Sequence, residues 1–162
     1  MDNQPKTIIE DIPPIDIPKL VSMAKMFHAE SPSYRHISFD EDHFILTMSR
    51  AMYSEDQYLR GAYHNKIMTG FMVGYLEQFA FNPAVRASEM GLYVLPDSRG
   101  SSAVFKLLKD FEQWALIKGA AEIVITTMSG INTKRVNKLY TKLGYKESGT
   151  FHRKFMEQNN GS

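Results

Sequence analysis

At 162 residues with 43% hydrophobic content, the chain is long enough for one well-filled core and short for two, so a single domain is expected over residues 1–162, with 1–5 and 157–162 as loose tails. With 19 basic against 18 acidic side chains the formal net charge is +1, which gives no global pull toward nucleic acid or anionic lipid. The absence of cysteine excludes a disulfide framework, a thiolate nucleophile and a cysteine zinc site. No two of His28, His36, His43, His64 and His152 stand at the i, i+4 spacing of a helical metal site, so no metal is expected. No run reaches membrane-spanning length and the first residues lack the basic and apolar regions of a secretory signal, so the expectation is a cytoplasmic protein without a membrane partner.

In chain order, residues 6–10 suit a short strand before a proline-rich stretch. Residues 16–29 carry Leu20, Met23, Ala24 and Phe27 at helical spacing, with Asp16 as cap and Pro18 in the first turn. A second helix is predicted over 40–53, where Phe44, Ile45, Met48, Ala51 and Met52 share a face; residues 31–36 between the two read as a loop. Residues 58–63 and 67–78 read as two strands of an antiparallel hairpin turning at His64, Asn65 and Lys66. Gly70 and Gly74 should leave gaps on that sheet, and residues 79–86 read as a loop. A strand follows over 90–95. Then come Pro96, Arg99 and Gly100 in a polar loop, and an amphipathic helix from Ser102 to Lys118 that stops at Gly119. Residues 122–127 form an apolar run of buried-strand length, so this strand, helix, strand crossover predicts a parallel pair. A further helix is expected over 132–143, with Val136, Leu139, Tyr140 and Leu143 on one face and Gly144 at its stop, and a last strand or hairpin over 145–156.

The segment from Leu95 to Val104 has the chemistry of an anion site. The first N–H groups of a helix have no intrahelical partners and lie at the positive end of its dipole, and Gly100 allows close backbone approach. Read from these residues alone, an ordinary strand-to-helix turn with a serine cap is an equal alternative.

Three places resemble the GNAT superfamily of acyl-CoA-dependent N-acyltransferases. Residues 92–104 match its strand, proline and phosphate loop, Arg/Gln-x-x-Gly-x-Gly/Ala, with Arg99 at the first position and Gly100 fitting the family's common Arg-Gly pair; Ser102 and Val104 depart from it at the two small positions. Asn132, Leu139-Tyr140 and Leu143-Gly144-Tyr145 match a second, more specific segment, and the hairpin with Gly70 is similar to the family's. The resemblance implies an α/β fold with a mixed, mostly antiparallel sheet, a central splayed parallel strand pair and flanking helices. It implies acetyl-CoA as cosubstrate, lying between the 90–95 and 123–127 strands. The backbone of Tyr93 and Val94 would then meet pantetheine. The N–H groups of Arg99, Gly100, Ser101, Ser102, Ala103 and Val104 would hold the pyrophosphate, with Ser102 adding its hydroxyl. Asn132 would act as a helix cap or a cofactor contact.

Direct acyl transfer from a thioester to an amine needs a neutral amine, a polarised carbonyl and a stabilised leaving sulfur. By resemblance Tyr140 is the general acid for the departing thiolate, against packing on its helix face as the alternative reading. Glu89 is the candidate base, against a solvated strand-end acid, with His64 and His152 as weaker candidates. A strand N–H near Val94 would polarise the carbonyl. Lys134, Arg135, Lys138 and Lys142 form a basic face that is either solvated or turned to the 3′-phosphate. The acceptor, a primary amine of a small molecule or protein, would sit among the first two helices, the 31–38 loop and the 79–87 segment. A homodimer is compatible with the family. The competing reading is a GNAT-like acyl-CoA-binding or structural protein without turnover, motivated by Ser102 and Val104.

Overall fold

The computed structural model describes residues 6–156, and the tails expected at 1–5 and 157–162 lie outside the described residues. A five-stranded sheet is built from β1 (Ile8–Asp11), β2 (Gln57–His64), β3 (Ile67–Phe79), β4 (Asn82–Val94) and β5 (Glu122–Val124), in that spatial order. All neighbouring pairs are antiparallel except β4 and β5, which run parallel, as the crossover predicted. Four helices flank the sheet: α1 (Ile17–Glu30), α2 (Glu41–Tyr53), α3 (Ala103–Ile117) and α4 (Thr133–Lys142).

Local chemistry explains most element ends. The Asp40 carboxylate caps α2 by accepting the His43 N–H at 2.9 Å. Asp16 precedes α1, but its carboxylate does not cap it; the oxygen instead accepts the Tyr63 hydroxyl at 2.8 Å, tying the helix start to β2. Asn65 and Lys66 both adopt positive φ, the requirement of a two-residue hairpin turn whose twist matches the strands. The helices α3 and α4 stop at Gly119 and Gly144, both at positive φ.

Two cores lie on the two faces of the sheet. On one, α1 and α2 place Leu20, Met23 and Met48 against Leu59, Phe71, Val73 and Tyr93. On the other, Leu107, Leu108 and Phe111 of α3 pack on Tyr58, Met72 and Val94, with Tyr140 of α4 joining them. The space expected at Gly74 is filled by the Phe111 ring, whose edge comes within 2.5 Å of where a Cβ would stand, with the Ser88 carbonyl at 3.0 Å. Gly74→Ala is therefore expected to lower the unfolding free energy by about 1–3 kcal/mol, read as a lower urea midpoint.

Two expectations are corrected. Residues 82–86 are not loop but the first part of β4, because Val85 pairs with Gln78, and Arg86 pairs with Glu77 and donates to its carboxylate at 2.8 Å. These cross-strand partners are invisible in a local window. Residues 145–156 form neither strand nor hairpin; they run irregularly and mostly exposed, so among the described residues β5 ends the sheet. Arg153 fixes this segment by donating to the carbonyls of Ser33 at 2.9 Å and Met128 at 2.8 Å.

Candidate functional site

The site begins as a defect in the sheet. Parallel pairing between β4 and β5 covers only Arg86, Ala87 and Ser88 against Glu122, Ile123 and Val124. The β3–β4 register then slips, with Gly74 opposite Glu89 but Val73 opposite Gly91, so Met90 is an inserted residue. Such a bulge bends its strand and increases its twist, and beyond it β4 runs on to Val94 with no β5 partner. The Leu95 N–H donates to the Thr69 carbonyl, which fixes the alternation in this register. Tyr93 turns its backbone groups to β3, while Leu92 and Val94 turn theirs to the gap.

A cavity of about 460 Å³ fills the gap, within the usual range of ligand clefts. Of the residues singled out in the sequence, Glu89, Tyr93, Val94, Arg99, Gly100, Ser101, Val104, Asn132 and Tyr140 line it; Ser102 and Ala103 do not. His64 and His152 are also absent from its walls, as is every residue of the 79–87 segment.

At the inner end, Glu89 reaches across the split to Thr126. One of its carboxylate oxygens accepts both the Thr126 N–H and the Thr126 hydroxyl, each at 3.2 Å. Burial pushes the Glu89 carboxyl up to about 7, and the two Thr126 donors only partly offset it. The Tyr140 hydroxyl donates to the Thr126 carbonyl at 3.2 Å, so the acid and the phenol bond the two successive peptide groups of one residue. Burial, then the neighbouring Glu89 charge, raises the Tyr140 phenol above its ordinary value, which keeps its proton in place at neutral pH.

At the outer end, Gly100 adopts φ +95°, a conformation that L side chains rarely enter. The first turn of α3 follows. Ser102 stands at the cap position without a side-chain bond, and the cap is supplied instead by Ser101, whose hydroxyl accepts the Ala103 N–H at 3.2 Å. A Cβ on Gly100 would meet the Arg135 guanidinium at 3.7 Å, so α4 delivers a cation to the Gly100 loop. Lys138 and Lys142 line the cavity from the same helix; Lys134 does not. Asn132 starts α4 in the left-handed conformation, without a side-chain cap.

Arg99 is turned inward rather than toward this loop. It forms a bidentate pair with Glu30 at 2.5 and 2.6 Å, donates to the Val94 carbonyl at 3.0 Å and lies over the Tyr93 ring. The Tyr93 hydroxyl also donates to Glu30, at 3.0 Å. The Arg99 guanidinium, ahead of the opposing cost of burial, holds the Glu30 carboxyl below the usual carboxylate range. No sequence signal singles out Glu30, Thr126, Leu92, Phe27 or Tyr34 individually for the site, although Leu92 and Thr126 lie on the expected strand pair, and Phe27 and Tyr34 in the first helix and the 31–38 loop expected to hold the acceptor.

The GNAT acetyltransferase family model matches residues 23–145, which span both ends of this cavity. The chain belongs to the GNAT acetyltransferase family. Solved structures establish the same fold for this GNAT chain at low sequence identity. A transcriptional regulator from Bacillus halodurans C-125 is 16% identical with a TM-score of 0.76, over 93% of this chain and 100% of that one. AAC(6')-Iy in complex with the bisubstrate analog CoA-S-monomethyl-acetylneamine is 16% identical with a TM-score of 0.72, over 93% and 99% of the two chains. Ribosomal-protein-alanine N-acetyltransferase from Brucella melitensis biovar Abortus 2308 is 14% identical with a TM-score of 0.69, over 93% and 100%. No curated protein matches the GNAT chain in sequence.

Proposed function

We propose that this GNAT protein transfers an acetyl group from acetyl-CoA directly to a primary amine. The reading rests on one arrangement, in which Glu89 and Tyr140 both bond Thr126 where β4 and β5 part, inside a cavity that opens onto a cationic loop and helix start. The residues suit the cosubstrate: backbone groups of Leu92 and Val94 face the gap, the start of α3 and Arg135 offer positive charge to phosphates, and apolar Val136 and Leu139 line the wall between. Acetyl-CoA supplies the acyl carbon as a thioester, so no covalent enzyme intermediate is needed.

In this reading Glu89 accepts the proton of the incoming ammonium, freeing the nitrogen lone pair to form the C–N bond. A backbone N–H of the β4 gap edge stabilises the carbonyl oxygen as it gains charge. As the C–S bond breaks, Tyr140 donates its proton to sulfur; the second proton lost by the nitrogen restores the phenol through solvent, and the proton on Glu89 is released to solvent as the net product. A protonated phenol and an acid of about 7 are matched to these two tasks. Membership of an acetyltransferase family and the coenzyme A analog held by AAC(6')-Iy support the choice of cosubstrate.

Calorimetry with acetyl-CoA, coenzyme A and ATP, followed by thiol release over an amine panel, tests the proposal. Acetyl-CoA is expected to bind in preference to ATP and to be consumed only when an amine is present. Binding with no release on any amine would favour a coenzyme-holding protein without turnover. Arg135→Ala is expected to weaken coenzyme A binding roughly tenfold, equivalent to about 1.4 kcal/mol, measured by the same calorimetry.

A further inference from the structure

The walls of the cavity divide by chemistry. The α3–α4 side carries Arg135, Lys138 and Lys142 and suits a polyanionic cosubstrate. The opposite side is aromatic: Phe27 of α1 and Tyr34 of the following loop join Tyr93 and Met90 of β4. The Phe27 ring centre lies 5.3 Å from that of Tyr93 and 5.9 Å from that of Tyr34. It covers β4 at Gly91, where a Cβ would stand 3.8 Å from its edge, directly beside the bulge that carries Glu89.

Charge on this side is already allocated. Among the described residues lining the cavity, Glu89 is the one carboxylate, and the transfer reaction needs it as proton acceptor. Glu30, behind Tyr93, is neutralised by the bidentate Arg99 pair. The Arg153 guanidinium lies 5.1 Å from the Tyr34 ring centre and donates to the carbonyls of Ser33 and Met128, placing a further cation beside that aromatic wall. A polycationic acceptor would bring several charges near Arg153, with Glu89 as the one lining carboxylate to receive them. A single amine on an apolar body meets neither penalty: its nitrogen reaches Glu89 and its body is buried against the rings.

We infer that the acceptor is a primary monoamine carrying an apolar, ring-bearing body, seated on Phe27 and Tyr34, and not a polyamine or an aminoglycoside. The inference rests on the transferase reading above and narrows it.

The test is steady-state thiol release from acetyl-CoA with 2-phenylethylamine, ethylamine, spermidine and kanamycin, alongside calorimetry of acetyl-CoA alone. The kcat/KM for 2-phenylethylamine is expected to exceed each of the others at least tenfold. Phe27→Ala is expected to reduce the 2-phenylethylamine to ethylamine ratio fivefold or more, mainly through KM. Tyr34→Ala, on a loop outside the core, should move the ratio in the same direction and serves if Phe27→Ala folds poorly. Preference for spermidine or kanamycin, or an unchanged ratio in both variants, would overturn the inference while leaving the transferase reading intact. Tight acetyl-CoA binding with no turnover of 2-phenylethylamine would overturn it likewise, whereas failure to bind acetyl-CoA would remove both.

Discussion

Tyr140→Phe is expected to lower kcat roughly 100-fold while changing the acetyl-CoA dissociation constant less than about threefold. The phenol meets the chain through one hydrogen bond, to the Thr126 carbonyl, so its loss should cost stability only about 1 kcal/mol and leave the fold in place. The rate effect sits at the lower end of general-acid contributions for a chemical reason. A thiol of pKa near 8.5 is already a fair leaving group, so under the proposed mechanism Tyr140 would assist departure without being indispensable to it. Stopped-flow thiol release separates this step from binding. A kcat within twofold of the wild type would assign Tyr140 to packing alone, since it is a buried member of the core under α3 and its ring centre lies 5.9 Å from that of Tyr145.

Glu89→Gln should have a larger effect, on the order of 1000-fold in kcat/KM, and should change the shape of the pH profile as well as its height. With the wild-type carboxyl near 7, log kcat/KM rises with pH and levels above that value; in the variant this limb disappears. Stability moves in the opposite sense. The folded pKa is raised from 4.5 to about 7, so the contribution of the neutral carboxyl is complete below about pH 4.5 and is lost as pH rises through 7. The total is on the order of 3 kcal/mol. Glu89→Gln, which never ionises, should therefore match the wild type near pH 4.5 and exceed its stability at pH 8, as urea unfolding at the two pH values would reveal. Equal stability at both would mean that the carboxylate is better solvated than its position across the split sheet implies.

The Glu30, Arg99 and Tyr93 cluster gives Arg99 a different task from the one its place in the phosphate-loop motif suggests. By linking the end of α1 to the end of β4, it connects the aromatic wall to the loop that starts α3. The positive charge near Gly100 comes instead from Arg135, thirty-five positions along the chain.

Most element types, the α/β class and the parallel crossover were legible in the chain alone. Those depend on short-range signals: periodicity in α1 to α4, the positive-φ turn at Asn65 and Lys66, and the glycine stops at Gly119 and Gly144. It also pointed to the residues most worth locating, since Arg99, Gly100 and Tyr140 stand in recognisable local patterns. What it could not determine were relations between distant segments. The strand over 82–86 exists because Glu77 and Gln78 lie opposite it, and among the described residues the 145–156 segment has no neighbouring strand to pair with. The split of β4 from β5 depends on a one-residue register slip at Met90, and a slip is a property of two strands together. It takes the assembled fold to bring Glu89, Thr126 and Tyr140 to one point and to turn Arg99 toward Glu30. The physical reason is the same throughout: burial and charge pairing act between residues tens of positions apart, whereas local sequence records only the conformations available to each segment.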